Sequence, residues 1–352
     1  MVRLKDIAAQ AGVSLMTVSK ALRDRHDVSD AMKARIKTLA LQLGYVPDSS
    51  ARGLRTRTTR LFGVLVSALS SPIFSRVVLA IEERAHEMGY EVLVAQSLDV
   101  PDREEACLRR FLARRVDGLF VVPAYALARD GKIYQELLAR KVPTVLLGHA
   151  APFCNGFVNV EADDLLASYF ATRHLMKLGH KKIAFLTGPP GTPWTTERFE
   201  GYRRALREDG LDVDDKLVFQ AGRSIEDGSK ATLQLINESS DATAIQTIDD
   251  MVAVGCVETL LKQGLRVPQD ISVVGFGNIL LSRHSRVPLT TCRQPKYRLG
   301  AAATEAMQQL LIGRRPESKR LPAELIVRES SGTPPASSVI RQSKIKNTNA
   351  TL

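Results

Sequence analysis

Short β-rich apolar runs alternate with amphipathic segments over most of this 352-residue chain, and this alternation constrains the fold more than any other feature. The apolar runs lie at residues 61–66, 90–95, 117–122, 142–147, 182–187, 242–247 and 271–276. Helical candidates lie near 74–88, 103–115, 164–178, 196–209, 228–238 and 250–263, followed by a last helix at 296–312 and a strand at 323–328. Such alternation is typical of βαβ units, so we predict two parallel-sheet subdomains with a break near 148–162.

The N-terminal segment has a different pattern, which predicts three short helices. The first, LKDIAAQA, carries apolar residues on one face and ends at Gly12. Ser14 is the expected N-cap of LMTVSKAL, and Ser29 that of DAMKARIKTLALQL, which ends at Gly44. Three short helices with a tight turn between the first two indicate a helix-turn-helix headpiece.

The basic charge lies at the two ends of the chain. Residues 1–60 carry twelve Lys and Arg against five Asp and Glu, and residues 313–352 carry eight against three. The middle, 61–312, carries 29 against 30, and the whole chain has a net charge of +11. This asymmetry favours a nucleic-acid-binding end on a near-neutral body, although a solvated basic arm is an alternative.

Cysteine and histidine spacing predicts neither a metal site nor a disulfide framework. Cys107, Cys154, Cys256 and Cys292 form no CxxC motif, and we expect the six histidines at surface or capping positions. The N-terminal segment lacks the apolar core of a signal peptide, and no run approaches the roughly 18 apolar residues of a membrane helix. We therefore expect a cytoplasmic protein with reduced thiols.

The motifs of α/β enzymes are incomplete. GFGNIL at 275–280 lacks the third glycine of a dinucleotide site, and TGPPGTP at 187–193 lacks the GK[ST] of a phosphate loop. No GxSxG elbow or HExxH helix occurs. We expect no enzyme activity and no cofactor.

The second helix of a helix-turn-helix enters the major groove of DNA. Thr17 and Ser19 can donate to phosphates, as can the helix N-terminus near Ser14.

Base contacts are expected from the same helix. The Lys20 ammonium group can donate hydrogen bonds to the O6 and N7 acceptors of guanine. Leu15 and Met16 can only pack on thymine methyls or exclude wrong bases, and the alternative is that both belong to the three-helix core. Leu15 fits the apolar stripe, whereas Met16 falls off it, so periodicity favours exposure of Met16.

These segments closely resemble the lactose-repressor/galactose-repressor family of bacterial transcription regulators. The resemblance begins with LKDIAAQAGVSLMTVSKAL and the GY-x-P and A-R-x-L elements, and it extends over nearly the whole chain. Later segments that carry it are RRVDGLFVVP, ATRHLMKLGHKKIAFLTGPP, ERFEGYRRAL, GLRVPQDISVVGF, LTTCRQP and LPAELIVRES.

The resemblance implies a DNA-binding headpiece (1–46), a hinge (47–60) and a periplasmic-binding-protein-like core (61–334). It places subdomain 1 at about 61–160 and 293–322, and subdomain 2 at about 161–292 and 323–334. Composition predicts a disordered tail at 335–352. By analogy with the family, a homodimer binds a pseudo-palindromic operator, and a small-molecule effector in the core cleft changes that affinity.

The family's effector residues map onto four positions. Arg198 matches the arginine that reaches the ligand from the second subdomain, and Phe74 matches a cleft residue of the first. Asp249 stands where many members have asparagine. Trp194 lies on the loop before Arg198 and stacks on a ligand ring or, alternatively, packs beneath its own loop.

Three positions depart from the family. Gly277 and Gly148 replace acidic residues that commonly hold sugar hydroxyls, and Arg223 takes a position that is often aromatic. Arg198 and Arg223 would form a pair suited to carboxylate or phosphate, so the hypothesis is an anionic sugar derivative as effector. The alternative is that Arg223 pairs with the acidic residues at 226–227.

The stretch SARGLRTRTTR (50–60) resembles the family hinge, a short helix that forms on DNA in the minor groove. Leu54 occupies the position of the wedge that opens a base step, and Arg52 and Arg55 flank it as minor-groove or phosphate contacts. Gly53 should cost about 1 kcal/mol relative to alanine in such a helix, so we expect order only on operator DNA.

Three functions compete at this point. A DNA-binding regulator, with repression as the family's usual mode, uses every feature above. A solute-capture protein would need an export signal and no headpiece, and an α/β enzyme or other small-molecule-binding protein without a DNA role would leave the basic headpiece unexplained. The absence of terminal heptads favours a dimer over a tetramer.

Overall fold

The structure is a computed structural model that describes residues 2–46, 58–125, 130–238 and 241–335. The chain divides into two compact units, Met1–Thr59 and Arg60–Leu352. The hinge residues Arg52, Leu54 and Arg55, and nearly all of the predicted tail, lie outside the described residues. Within the described ranges, no helix is long and apolar enough to cross a membrane.

The first unit is a three-helix domain around a small apolar core. Its helices are Leu4–Ala11 (α1), Leu15–Ala21 (α2) and Asp30–Gln42 (α3). The hydroxyls of Ser14 and Ser29 cap α2 and α3 by accepting a backbone N–H three residues on, at 3.1 and 3.4 Å. Ile7, Val18 and Ile36, one from each helix, are completely buried. The predicted headpiece is therefore confirmed.

The second unit contains two six-stranded sheets. Its strands are Leu61–Val66 (β1), Glu91–Gln96 (β2), Gly118–Val121 (β3), Thr144–Leu147 (β4), Val158–Ala162 (β5), Ile183–Thr187 (β6), Val218–Gln220 (β7), Ala244–Thr247 (β8), Ser272–Phe276 (β9), Thr290–Arg293 (β10), Lys319–Leu321 (β11) and Glu324–Ile326 (β12). Its helices are Pro72–Glu87 (α4), Pro101–Ala113 (α5), Lys132–Ala139 (α6), Asp164–Lys177 (α7), Pro193–Glu208 (α8), Ile225–Glu238 (α9), Asp250–Lys262 (α10), Leu280–His284 (α11) and Lys296–Leu311 (α12).

The strand order is β11-β5-β4-β3-β1-β2 in the first sheet and β12-β10-β9-β8-β6-β7 in the second. Every pair is parallel except β10 with β12. Helices between the strands cover the sheets, and the buried strand residues are mainly Val, Ile, Leu and Phe. The predicted α/β core of two parallel-dominated sheets is confirmed.

The periodicity missed six elements: β5, β7, β10, β11, α6 and α11. The four strands are short and carry polar residues, as in VNVEA, TTCR and KRL, so none forms a β-rich apolar run. The predicted break at 148–162 is wrong over its last residues, because β5 pairs there with β4 and β11.

Close packing of α7 on α8 positions one side of the cleft. Gly201 on α8 allows it, since a Cβ there would lie 2.2 Å from the carbonyl oxygen of Leu165. The contact brings Arg198 of α8 beside Asp164, the first residue of α7.

The chain passes between the two sheets three times. It leaves the first sheet after β5, returns after β10 as α12, which packs on α4 and on the first sheet, and crosses again between β11 and β12. Each sheet is therefore assembled from segments that are distant in sequence.

Candidate functional site

The start of α2 presents two apolar side chains to solvent. Met16 is 61% exposed and Leu15 is 52% exposed. Leu15 lies on the apolar stripe of the sequence, but the core contacts of α2 come from Val18 and Ala21. The alternative that Leu15 and Met16 are core residues is therefore wrong, and both are available to a partner.

The hydroxyl groups of α2 are engaged within the headpiece. The hydroxyls of Ser14 and Thr17 lie 2.9 Å apart, and that of Ser19 accepts from the Arg23 guanidinium at 2.5 Å. These groups can exchange partners for phosphate only by breaking local hydrogen bonds. Their role in DNA binding stays a prediction.

Lys20 has an ion-pair partner that the sequence pattern did not reveal. Its Nζ lies 2.5 Å from the Asp27 carboxylate, and both side chains are about 40% exposed (39% and 42%). Lys20 must therefore separate from Asp27 before it can contact guanine. The free-energy cost of separating them is small, because an exposed ion pair contributes little to stability. The base contact stays a prediction.

A cavity of about 430 Å³ lies between the two sheets, at the carboxyl ends of their strands. Parallel α/β sheets bind ligands at this end because the βα loops converge there. Its lining includes all five side chains predicted to contact an effector: Phe74, Trp194, Arg198, Arg223 and Asp249. Phe74 belongs to α4 of the first sheet, whereas the other four come from elements of the second.

Arg198 is held rigidly in this cavity and is only 7% exposed. It donates to the carbonyl oxygen of Ile248 at 2.7 Å and to the Asp164 carboxylate at 3.0 Å. Its guanidinium carbon lies 3.7 Å from the centre of the Phe276 ring and 5.2 Å from that of Trp194. Its Nε has no hydrogen-bond partner among the described residues.

Arg223 bridges the two sheets across the cavity. Its guanidinium donates to Asp99, which follows β2 of the first sheet, at 3.1 Å. It also lies 5.0 Å from the centre of the Trp194 ring. The alternative pairing with residues 226–227 is wrong for the guanidinium, because only the backbone N–H of Arg223 reaches Asp227.

Trp194 lies in the first turn of α8, so its predicted loop position is wrong, and its indole ring contacts both arginines. The sequence left open whether it packs beneath its own loop or faces a ligand. It lines the cavity and is also partly packed against the core of the second sheet, so both contacts occur. Stacking on a ligand ring stays a prediction.

Asp249 caps α10 by accepting the backbone N–H of Val252 at 2.9 Å. Burial raises the pKa of its carboxyl from 3.8 to about 6, although Val252 and the two arginines act in the opposite direction. Its neighbour Asp250 accepts from the hydroxyls of Ser282 and Thr291, both at 2.6 Å. The carboxylate of Asp250 is therefore engaged in hydrogen bonds within the fold.

Replacing Asp249 with asparagine is expected to stabilise the core at neutral pH by about 1–3 kcal/mol. The amide can keep the cap without the cost of ionising a partly buried carboxyl. A raised pKa means that the folded protein binds the proton more tightly, so the carboxyl's contribution to stability is present at low pH and lost as pH rises through about 6.

Urea unfolding of the two proteins measures this difference. The gain should be largest at about pH 7.5 and fall to roughly a third of that value at about pH 4.5, where Asp249 is neutral in the folded state while the unfolded carboxyl is still mostly ionised. An equal gain at both pH values would show that ionisation is not its cause.

Glycines occupy both positions where the family resemblance suggests acidic residues. Gly148 has φ +126 and Gly277 has φ +128, conformations that side chains rarely adopt. A Cβ at Gly277 would also lie 3.3 Å from Ile73. The backbone at these two positions is thus adapted to glycine and offers no carboxylate to a ligand.

An ion cluster that periodicity did not predict joins the two sheets at one side of the cavity. The Nε2 atom of His149 lies 3.0 Å from Glu197 of α8 and 4.0 Å from Glu161 of β5. Arg320 of β11 pairs with both glutamates, at 2.7 Å from Glu161. Burial opposes a charge on His149, but the carboxylates of Glu197, Asp164 and Glu161 together outweigh it and raise the histidine's pKa. The expectation of a surface or capping histidine is wrong for this buried residue.

Comparison with known proteins agrees with this architecture. Residues 3–48 match the family model for bacterial regulatory proteins of the lacI family, and residues 172–331 match a periplasmic-binding-protein-like domain. The chain is 32% identical over 332 residues to the HTH-type transcriptional repressor CytR of Escherichia coli K12, covering 93% of this chain and 96% of that protein. It is 33% identical over 307 residues to the ribose operon repressor of the same organism, covering 87% and 92%.

A solved structure shares the fold over nearly the whole chain. The lac repressor dimer bound to operator and the anti-inducer ONPF superposes with a TM-score of 0.84 at 27% identity, covering 94% of this chain and 99% of that one. The helix-turn-helix headpiece, the two-sheet core and these similarities together show that the chain belongs to the lacI family of bacterial regulatory proteins, which are DNA-binding transcriptional regulators and not enzymes.

Proposed function

We propose that this regulator is a repressor that binds a pseudo-palindromic operator as a homodimer, and that a small molecule in the cavity between the two sheets controls its affinity. The observation that carries the proposal is the cavity itself. It is about 430 Å³ in volume, large enough for a small organic ligand, and is lined by residues of both sheets.

The contacts around the cavity support control by a change in sheet arrangement. Arg223 of the second sheet donates a hydrogen bond to Asp99 of the first, and Glu197 forms ion pairs with His149 and Arg320. A ligand among these groups that binds one arrangement of the sheets better than another shifts the population toward it. The hinge (47–60), which links the headpiece to the core, is the element expected to transmit that shift to DNA.

The charge of the lining does not favour the anionic effector that two neighbouring arginines suggested. Each arginine is already bound to a carboxylate, Arg198 to Asp164 and Arg223 to Asp99. The described lining contains five carboxylates, at positions 99, 161, 164, 249 and 250, against these two arginines. An acid would enter a cavity that is already rich in negative charge.

DNA selection with the purified protein is expected to recover a two-fold symmetric site, because the two α2 helices of a dimer bind equivalent half-sites. Binding should weaken steeply with salt, with a log–log slope of about −0.9 for each phosphate neutralised. Fluorescence anisotropy on the recovered site, titrated with salt, measures the slope, and a scrambled duplex is the control.

Two results would contradict the proposal. One is a flat salt dependence with no selected sequence. The other is an operator affinity that no cavity ligand changes, although calorimetry shows that the ligand binds.

A further inference from the structure

Asp249 differs in its hydrogen bonding from the other carboxylates of the cavity that are buried or partly buried. Both oxygens of Asp250 accept hydrogen bonds, as do both oxygens of Asp164 and of Glu161. In Asp249, Oδ1 accepts from Val252, while Oδ2 has no hydrogen-bond partner among the described residues. In the described part of the chain, the lining therefore contains one partly buried carboxylate, that of Asp249, with a free acceptor oxygen.

The nearby cations do not neutralise this carboxylate by direct contact. The guanidinium of Arg198 bonds Asp164 at 3.0 Å, and that of Arg223 bonds Asp99 at 3.1 Å. Each arginine is thus balanced by its own acid, and Asp249 has no ion-pair partner in the described part of the chain. A carboxylate that is partly withdrawn from water and has no partner loses hydration free energy, part of which a ligand that supplies the partner would recover.

We propose that the cavity takes a ligand with a protonated amine or a similarly basic N–H donor group, and that Asp249 binds this group. The inference rests on the proposed effector site and reverses the charge that the arginine pair suggested. The raised pKa of Asp249 agrees with it, because burial favours the neutral carboxyl and the two nearby arginines do not fully offset this effect. A bound ammonium would form a charge-assisted hydrogen bond with Oδ2.

Two sets of matched probes test the sign of the ligand charge. Glucosamine, glucose and glucuronate share one ring and differ in charge, as do benzylamine, benzyl alcohol and benzoate. Calorimetry with the full chain should show at least one amine binding about tenfold tighter than its neutral counterpart, since a hydrogen bond to a charged group contributes this much. The acid of that set should bind most weakly.

Asp249→Asn identifies the group responsible. Asparagine can keep the cap through its oxygen and then presents an N–H₂ donor to the cavity, so the preference for the amine should be lost while α10 stays intact. Asp212→Asn is the matched control. It removes the same charge from an exposed residue of the second unit outside the cavity lining, and it should leave the preference unchanged.

The outcomes separate this inference from the proposed function. Tighter binding of an acid, equal binding within both sets, no binding of either amine, or an unchanged preference in Asp249→Asn would each overturn the inference. Operator affinity of the same protein samples, measured without any probe, tests the regulator separately. Loss of selective DNA binding there would contradict the proposed function whatever the probes show.

Discussion

Replacing Arg198 with methionine is expected to lower the free energy of unfolding of the core by about 3–5 kcal/mol. The Asp164 side chain is 2% exposed and accepts from Arg198 at 3.0 Å, so the substitution leaves a buried carboxylate without its cation. Gln294 alone would remain as a hydrogen-bond donor to Asp164 among the described residues. The midpoint of urea unfolding measures the loss.

Two further variants show whether the buried charge is the cause. Adding Asp164→Asn to Arg198→Met should recover about 2 kcal/mol, because it removes the unpaired charge and keeps a polar side chain for Gln294. Arg203→Met removes an arginine from the same helix, but one that is 38% exposed and paired with Glu200, so its effect should stay below about 1 kcal/mol. Equal losses for Arg198→Met and Arg203→Met would exclude the buried pair as the source.

Replacing Met16 with glutamate is expected to weaken operator binding about a hundredfold or more without unfolding the headpiece. Met16 is 61% exposed at the start of α2, so the substitution removes no core contact. Near the phosphates and acceptor-rich edges of the major groove, a carboxylate meets like charge and loses its hydration. Fluorescence anisotropy at fixed salt measures operator affinity, and circular dichroism checks that the helices remain.

Leu41→Glu is the matched control for that variant. Leu41 lies on α3, is 81% exposed and gives the same change from apolar to acidic. The control should reduce affinity only through net charge, by less than about tenfold. If both variants weaken binding equally, the start of α2 does not face DNA.

Local signals in the sequence were sufficient to predict the headpiece. Ser14 and Ser29 mark the starts of α2 and α3 because their hydroxyls accept backbone N–H groups, and the glycines at 12 and 44 mark the ends of α1 and α3. In the core, strands with continuous apolar runs were predicted to within about two residues. Strands such as β11, KRL, are held mainly by pairing with β5, and such pairing leaves no local pattern.

The residues of the cavity were predicted, but their pairing was not. The family resemblance placed Arg198, Arg223 and Asp249 in one cleft, and all three line it. The partner of Arg223 is Asp99, which is 124 positions away, and no periodicity connects them. The charge of the preferred ligand depends on such pairs. Residue identity alone therefore suggested an acidic ligand, whereas the geometry supports the proposed basic one.

The threefold passage of the chain between the sheets has a consequence for how the protein is made. On the ribosome, β1 to β5 emerge early, but their sheet lacks its edge strand β11 and the covering helix α12 until residues 296–321 have been synthesised. The second sheet, apart from β12, can pair before that. We expect the first sheet to wait for α12 and β11 although its other strands are made first, and a nascent chain that stops before residue 296 to expose the apolar face that α12 covers.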